Sequence, residues 1–267
     1  MVNGFKIADA HCHIYPEKIA DRAVAGTDTF YGTAAKCRGT TDDLIKIGAE
    51  AGIDRFIVQS VATTPKQVKS INEFIAESVE KYPTLLTGLG TLHPDSEDIA
   101  GDIAHLKSLG LRGVKLHPDI QRFKLDDYRC LKIYELCERE RLPILMHTGD
   151  SRYDYSNPNR LIPIMQIYTG LTVVGAHFGG WSIWEQASKQ LCGIPNLYVD
   201  CSSSLPYLKP KTAVEIIRRY GADRVMFGTD YPMWDPRDEV KSFMELELTD
   251  EERRKVLFEN SERIYGK

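Results

Sequence analysis

Two histidines, His11 and His13, close an apolar run at residues 6–14 and are the side chains of this sequence best placed for chemistry. Alternate residues of a β-strand point to the same face, so both imidazoles would lie on one side of that strand. Zinc in proteins usually takes four ligands, among which imidazole nitrogens are common. The pair therefore predicts one half of a metal site.

Three further candidate ligands, His147, His177 and Asp230, each follow another short apolar run. In a (β/α)8 barrel the carboxyl ends of the strands open on one face, and the active site lies there. The sequence thus predicts that His11, His13, His147 and Asp230 hold one divalent ion, zinc in the first instance and manganese as the alternative.

The position of His177 leaves two interpretations open. Three histidines, one aspartate and a water already complete a mononuclear site, so we expect His177 to act as acid and base beside the metal. The alternative is a ligand of a second metal ion. Asp230 is expected to serve both as a ligand and as the base that takes a proton from water. Cys12, between the two histidines of the first run, would face the helices and pack there.

Eight apolar runs rich in β-branched residues recur along the chain, at 6–14, 55–62, 86–92, 113–116, 143–148, 172–177, 196–201 and 224–229. Near-continuous apolar character is typical of parallel strands buried on both faces. Helical periodicity occupies residues 41–51, 65–81, 95–109, 126–141, 210–220 and the stretch from 249 towards 265. This alternation predicts one (β/α)8 TIM barrel over residues 1–267, with no domain boundary.

The long connection at residues 15–40 lacks evident periodicity and predicts a loop that acts as a wall or lid on the active face. Three side chains are candidates for substrate binding: Arg38 in this connection, Lys115 on the fourth strand and Trp181 after the sixth. A loop arginine such as Arg38, Arg122 or Arg152 could clamp a carboxylate. Lys115 could pair with an acid or a substrate carboxylate, and Trp181 could equally belong to a packed helix face.

Composition limits the partners of the protein. Hydrophobic residues make up 42% and charged residues 27% of the chain, and the net charge is -4. This balance argues against nucleic acid and anionic membranes and leaves a small molecule as the expected partner. The six cysteines form no Cys-x-x-Cys pair, and neither a membrane-spanning stretch nor a signal peptide is evident, so we expect a cytoplasmic protein.

The motifs together resemble the amidohydrolase superfamily, in particular its branch of metal-dependent decarboxylases and lactonases. They are DAHCH at 9–13, GVKLHP at 113–118, MH at 146–147, AHFGG at 176–180, GTDYP at 228–232 and NSERIYG at 260–266. The resemblance implies a distorted barrel with one divalent metal, commonly zinc, with His11, His13, His147 and Asp230 as ligands and His177 as acid/base. It also implies a homodimer. A carbamylated Lys115 bridging two metals is an alternative known from related barrels.

Three functions follow as hypotheses. The first is a metal-dependent hydrolase of a small, carboxylated ester, lactone or amide, in which metal-activated water attacks, Asp230 is the base and His177 protonates the leaving group. The second is a non-oxidative decarboxylase of a small unsaturated or aromatic carboxylic acid at the same site. The third is a catalytically retired barrel that only binds a small molecule.

Overall fold

Parallel strands coincide with all eight predicted runs. The computed structural model describes residues 1–266. The strands are β1 (Ala8–His13), β2 (Arg55–Gln59), β3 (Leu86–Gly88), β4 (Gly90–Thr91), β5 (Val114–Leu116), β6 (Ile144–Met146), β7 (Val173–Gly175), β8 (Leu197–Asp200) and β9 (Val225–Met226). The third run is divided at Leu89 into β3 and β4, and every other run gives one strand. All strand pairs are parallel, which confirms the predicted fold class.

Backbone hydrogen bonds connect the strands into a ring in the order of the chain. Strands β1 to β3 pair in chain order, and so do β4 to β9. At the junction of β3 and β4, the N–H of Leu89 donates to the carbonyl of Val58 at 2.9 Å. At the other junction, the N–H of Ala10 in β1 donates to the carbonyl of Phe227 at 2.9 Å. The last strand therefore lies beside the first, and the carboxyl ends of the strands gather at one face.

Two separate groups of apolar side chains pack on the two faces of this ring. Because successive strand residues point to opposite faces, Cys12 lies in the outer core, as predicted, while its neighbours His11 and His13 face the axis. Tyr265, near the C-terminus, is buried with the inner group. The inner group is otherwise made of non-aromatic apolar side chains, namely Ala10, Ile57, Leu89, Leu145, Val174, Ala176 and Met226.

Twelve α-helices lie among the described residues. They are α1 (Ala20–Tyr31), α2 (Thr41–Glu50), α3 (Val68–Lys81), α4 (Ile99–Ser108), α5 (Pro118–Gln121), α6 (Leu131–Glu140), α7 (Pro158–Ile167), α8 (Trp184–Leu191), α9 (Pro210–Tyr220), α10 (Pro236–Met244), α11 (Asp250–Arg254) and α12 (Asn260–Tyr265). A π-helical segment, Lys255–Glu259, joins α11 to α12. None of the helices in residues 1–266 is long and apolar enough to cross a bilayer.

The connection predicted as an irregular loop, residues 15–40, contains α1. The only buried residue of helix α1 is Ala20, so the apolar periodicity that identifies a helix packed on a core is weak. The helix instead turns Ala23, Thr27 and Tyr31 towards a cavity, at the spacing of one helical face. The expected wall over the active face is therefore present, but it is helical.

Candidate metal centre and active site

Three of the predicted ligands meet at the carboxyl end of the barrel. Nε2 of His11 lies 3.2 Å from Nε2 of His13 and 3.3 Å from Oδ1 of Asp230. The third distance, between His13 and Asp230, is 3.6 Å. Tetrahedral coordination with bonds of about 2.0–2.1 Å separates two ligand atoms by about 3.4 Å. These three residues, called the triad below, therefore fit a divalent cation.

Burial sets the charge state of the triad. It lowers the pKa of His11 and of His13 well below the usual range, and the nearby charge of Lys115 acts in the same direction. Both imidazoles are therefore neutral and have a lone pair to offer, as metal ligation requires. Burial also raises the pKa of Asp230 to about 7. A bound cation would favour the ionised carboxylate instead.

Asp230 is positioned by a hydrogen bond to its carboxylate and by the backbone that precedes it. Ser203 Oγ donates to Oδ2 of Asp230 at 2.6 Å, and Trp234 Nε1 donates to that hydroxyl at 2.8 Å. Oδ1 is thereby left facing the two histidines. The backbone of Asp230 is left-handed (φ 60°), which is a costly conformation for any residue other than glycine. Just before it, Thr229 is tied to the buried Asp9 of β1 by N–H and hydroxyl bonds of 2.9 and 2.5 Å.

His147 lies beside the triad without joining it in this arrangement. Its Nδ1 is 3.1 Å from Nε2 of His177, and its Nε2 faces the carbonyl of Gly149 at 3.1 Å and Asp119 at 3.3 Å. Among the described residues, its close cluster of potential ligands is His117 and Asp119. The rings of His117 and His147 are stacked, with centroids 3.9 Å apart. The role of His147 as a fourth ligand stays a prediction.

His177 lines the cavity beside the triad, and its role as acid/base stays a prediction. Its Nδ1 faces the carbonyl oxygen of Ser202 at 2.9 Å, so Nδ1 carries the hydrogen and Nε2 is left towards the cavity. Burial lowers the pKa of His177 well below its usual range. The Nε2 atom of this neutral ring lies 3.1 Å from Nδ1 of His147 and keeps the lone pair with which an acid/base residue accepts a proton.

Lys115 points to the barrel axis and is completely buried. Its Nζ lies 3.1 Å from Nε2 of His11. Burial lowers the pKa of Lys115 to about 8, and the carboxylates of Asp230 and Asp200 oppose that shift. The residue therefore brings a positive charge to the edge of the triad, where a substrate carboxylate could reach it.

Asp200, at the end of β8, is a site residue that the sequence reasoning did not select. Its Oδ2 lies 2.9 Å from Nδ1 of His11, and both side chains are fully buried. The available signal was its place: it ends an apolar run, as His147, His177 and Asp230 do. The apolar run predicted at 196–201 includes Cys201, which places Asp200 inside the strand rather than at its end.

A cavity of about 650 Å³ opens above the triad. Of the residues singled out from the sequence, His147, His177, Lys115 and Trp181 line it together with the triad. Five rings form much of its wall and come from several separate elements. They are those of Phe30, Tyr31, Trp181, Tyr207 and Trp234.

Tyr31 joins this wall to the histidines. Its hydroxyl lies 2.8 Å from Nε2 of His117 and 3.5 Å from Nε2 of His147, and its ring meets Trp181 edge to face at 5.1 Å. His117 stabilises the turn that follows it by accepting from the N–H of Ile120 at 3.3 Å. It also lines the cavity.

The expectation that Arg38 binds substrate needs correction. Its side chain does not line the cavity, because it is exposed and its guanidinium pairs with Glu17 at 2.8 Å. Arg152 is held by Asp150 and sits over the rings of the wall, so it supports the wall from behind. Arg22 and Arg122 do line the cavity.

Charge at the cavity surface favours an anionic ligand. Of the described residues that line it, Arg22, Lys115 and Arg122 are basic and Asp230 is acidic, apart from the histidines. Neither arginine has an acidic partner within the described chain. An unpaired guanidinium in a concave wall attracts carboxylates.

Comparison with solved structures agrees with this architecture. The chain is similar to an uncharacterized TIM-barrel protein from Bordetella bronchiseptica, with 22% identity, a TM-score of 0.82 and coverage of 97% of this chain and 98% of that chain. It is also similar to 5-carboxyvanillate decarboxylase from Sphingomonas paucimobilis, with 16% identity, a TM-score of 0.77 and coverage of 98% and 99%. A dihydroxybenzoic acid decarboxylase from Polaromonas sp. JS666, with bound manganese and the inhibitor 2-nitroresorcinol, shares 17% identity at a TM-score of 0.74, with coverage of 98% and 97%. These similarities show a common barrel fold.

A family model described as Amidohydrolase matches residues 8–267. The match includes every motif on which the resemblance rested, from the histidine pair of β1 to the C-terminal helix, and confirms it. The chain therefore belongs to the amidohydrolase family of enzymes.

Proposed function

We propose that this protein is a metal-dependent decarboxylase that removes a carboxyl group, without oxidation, from a small aromatic or unsaturated carboxylic acid. The observation that carries the proposal is the position of the triad at the buried end of a cavity walled by aromatic rings. A flat conjugated acid can stack between such rings while its polar groups reach the triad and Lys115.

The named activities of similar proteins support decarboxylation over hydrolysis. Structures that share this fold include decarboxylases of 5-carboxyvanillate and of 2,6-dihydroxybenzoate, and some of them contain manganese. Hydrolysis of an ester, lactone or amide, the first hypothesis from the sequence, uses the same residues with water as the nucleophile. It stands as the competing reaction.

The cation would be held by the triad, with His147 as the fourth ligand predicted from the sequence. When bound, it would orient oxygen atoms of the substrate and stabilise the negative charge that develops during the reaction. Imidazole and carboxylate ligands suit both zinc and manganese, so the proposal is a divalent ion of either kind.

The side chains of the cavity would divide the remaining work. Lys115 would bind an anionic oxygen of the substrate and hold the carboxyl group in place. The carbon–carbon bond to that group breaks, its electron pair stays on the substrate carbon, and carbon dioxide leaves. A proton then adds to the carbon. His177 would hold and deliver this proton through Nε2, while its Nδ1 is held by the carbonyl oxygen of Ser202. Asp230 would hold the cation through Oδ1, while its Oδ2 accepts from the hydroxyl of Ser203.

A two-panel assay tests the proposal. Protein loaded with zinc or with manganese is incubated with hydroxylated aromatic carboxylic acids and, separately, with carboxylated lactones and esters, while released carbon dioxide is recorded. The proposal expects carbon dioxide from members of the first panel, lost on chelation and restored by the metal. Turnover confined to the second panel, with no carbon dioxide, would establish the hydrolase instead.

A further inference from the structure

We infer that Asp200 is the positioning residue of this site, a single buried carboxylate that fixes both the imidazole of His11 and the backbone of His177. The functions of these two histidines, as metal ligand and acid/base, rest on the proposed function. Asp200 does not line the cavity and its side chain is fully buried, so it acts through its neighbours rather than on substrate.

The contact with His11 determines which ring nitrogen is free. The carboxylate oxygen Oδ2 of Asp200 accepts a hydrogen bond, so Nδ1 of His11, which lies 2.9 Å from it, carries the hydrogen. Nε2 then has its lone pair directed towards His13 and Asp230. This is the tautomer that a metal ligand needs, and carboxylates commonly enforce it in metal sites.

The contacts with His177 fix an unusual turn. His177, Phe178 and Gly179 all have left-handed backbones, with φ values of 59°, 53° and 74°. Two consecutive residues with side chains rarely adopt this conformation unless their surroundings enforce it. Oδ1 of Asp200 accepts from the N–H of His177 at 3.1 Å, and the carbonyl of Asp200 accepts from the N–H of Phe178 at 2.6 Å. Asp200 therefore holds the turn from which the ring of His177 reaches the cavity.

Ser202 locks the carboxylate in this orientation. Its N–H donates to Oδ1 of Asp200 at 3.0 Å, and its hydroxyl donates to the same oxygen. The hydroxyl oxygen also lies 3.0 Å from Nδ1 of both His11 and His177. Oδ1 thus has three donors from the chain, whereas Oδ2 faces His11. Oδ1 of Asp200 therefore binds the turn at His177 and Ser202, and Oδ2 orients the ring of His11.

This division makes Asp200→Asn a directed test. The amide oxygen is expected to take the place of Oδ1, where three donors converge, and the NH₂ group would then face Nδ1 of His11. Nδ1 would have to accept, and the hydrogen would move to Nε2. The variant should therefore change the tautomer of His11 and weaken metal binding by about 10- to 100-fold, the usual effect of losing such a partner.

Two readouts that require no turnover measure these effects. Zinc or manganese affinity is obtained by competition with a chelator, and the imidazole tautomers are read by NMR of metal-free protein labelled with ¹⁵N-histidine. Glu239→Gln is the matched control, because Glu239 is also a buried acid but contacts neither histidine. It should leave both readouts unchanged. Asp200→Asn with wild-type affinity and an unchanged His11 tautomer would overturn the inference.

The unmodified protein gives a second test that does not depend on whether a variant folds. In metal-free wild-type protein, His11 should carry its hydrogen on Nδ1, and a signal for the Nε2 tautomer would refute the proposed role of Asp200. Neither measurement uses a substrate. A failure to find decarboxylation would therefore count against the proposed function alone.

Discussion

Nζ of Lys115 lies 3.1 Å from Nε2 of His11, the same nitrogen that faces His13 and Asp230. A buried cation therefore borders the group of atoms that would receive a divalent ion. Two positive charges at such short range repel each other, especially where water is excluded. The protein thus balances metal affinity against a charge that can bind the substrate.

Replacing Lys115 by methionine separates these two effects. Lys115→Met should bind zinc or manganese more tightly, by on the order of ten-fold, because the like charge is removed while the volume is retained. Its KM for an anionic substrate should rise. Chelator competition and steady-state kinetics measure the two changes, with Lys124→Met on the exposed surface as the control. A loss of metal in Lys115→Met would show that Lys115 is itself a ligand.

His147 and His177 face each other, but their substitution should have different effects. If His147 supplies the fourth ligand, His147→Ala should lower both the bound metal and the melting temperature. If His177 works beside the metal, His177→Asn should keep metal and fold while turnover falls roughly 10²–10⁴-fold. Elemental analysis and rate measurements on both variants distinguish the two roles.

Either result could revise the assignment. His147→Ala with a full complement of metal would limit the protein ligands to the triad, in line with the clustering of His147 with His117 and Asp119 instead. Loss of metal from His177→Asn would make His177 a ligand.

The aromatic wall makes a prediction about specificity. Trp181 lines the cavity, whereas Trp184, three residues later, packs on the outer core. Trp181→Ala should raise KM for an aromatic acid about ten-fold, the equivalent of about 1.4 kcal/mol of lost contact, with a smaller change in kcat. Trp184→Ala should lower the melting temperature and leave KM near the wild-type value. Equal KM values for both variants would remove Trp181 from the binding site.

Glu239, buried in α10, should make stability depend on pH. Burial raises its pKa to about 8 from 4.5, and Oε2 has no hydrogen-bond partner among the described residues. The folded state therefore holds a proton that the unfolded chain releases above about pH 4.5, and stability is lost as the pH rises towards 8. Glu239→Gln does not titrate, so its stability relative to wild type should increase by a few kcal/mol between pH 5 and 8. Urea unfolding at both pH values measures it, and a constant difference would contradict the burial argument.

The sequence was sufficient to predict which residues converge. Apolar runs identify the buried strands, and the carboxyl ends of the strands of a parallel barrel lie on one face. The sequence alone therefore predicts that His11, His13 and Asp230 lie close together. The alternation of side chains also placed Cys12 correctly outside the ring.

Other features depend on contacts that a sequence does not display. Helix α1 borders a cavity and so lacks the strong apolar stripe of a core helix. Arg38 lies near the active face along the chain but turns outward to Glu17. The ring of His147 is directed by Asp119, His177 and the carbonyl of Gly149, none of which a strand pattern reveals.

The most direct test of the central claim is isotopic. Metal-loaded protein is allowed to turn over an aromatic carboxylic acid in D₂O containing H₂¹⁸O, and the product is examined by mass spectrometry and NMR. Decarboxylation predicts one deuterium on the carbon that carried the carboxyl group, no ¹⁸O in the organic product, and carbon dioxide equal to the substrate consumed. One ¹⁸O in the product of a lactone or ester, with no deuterium on carbon and no carbon dioxide from any acid, would contradict it.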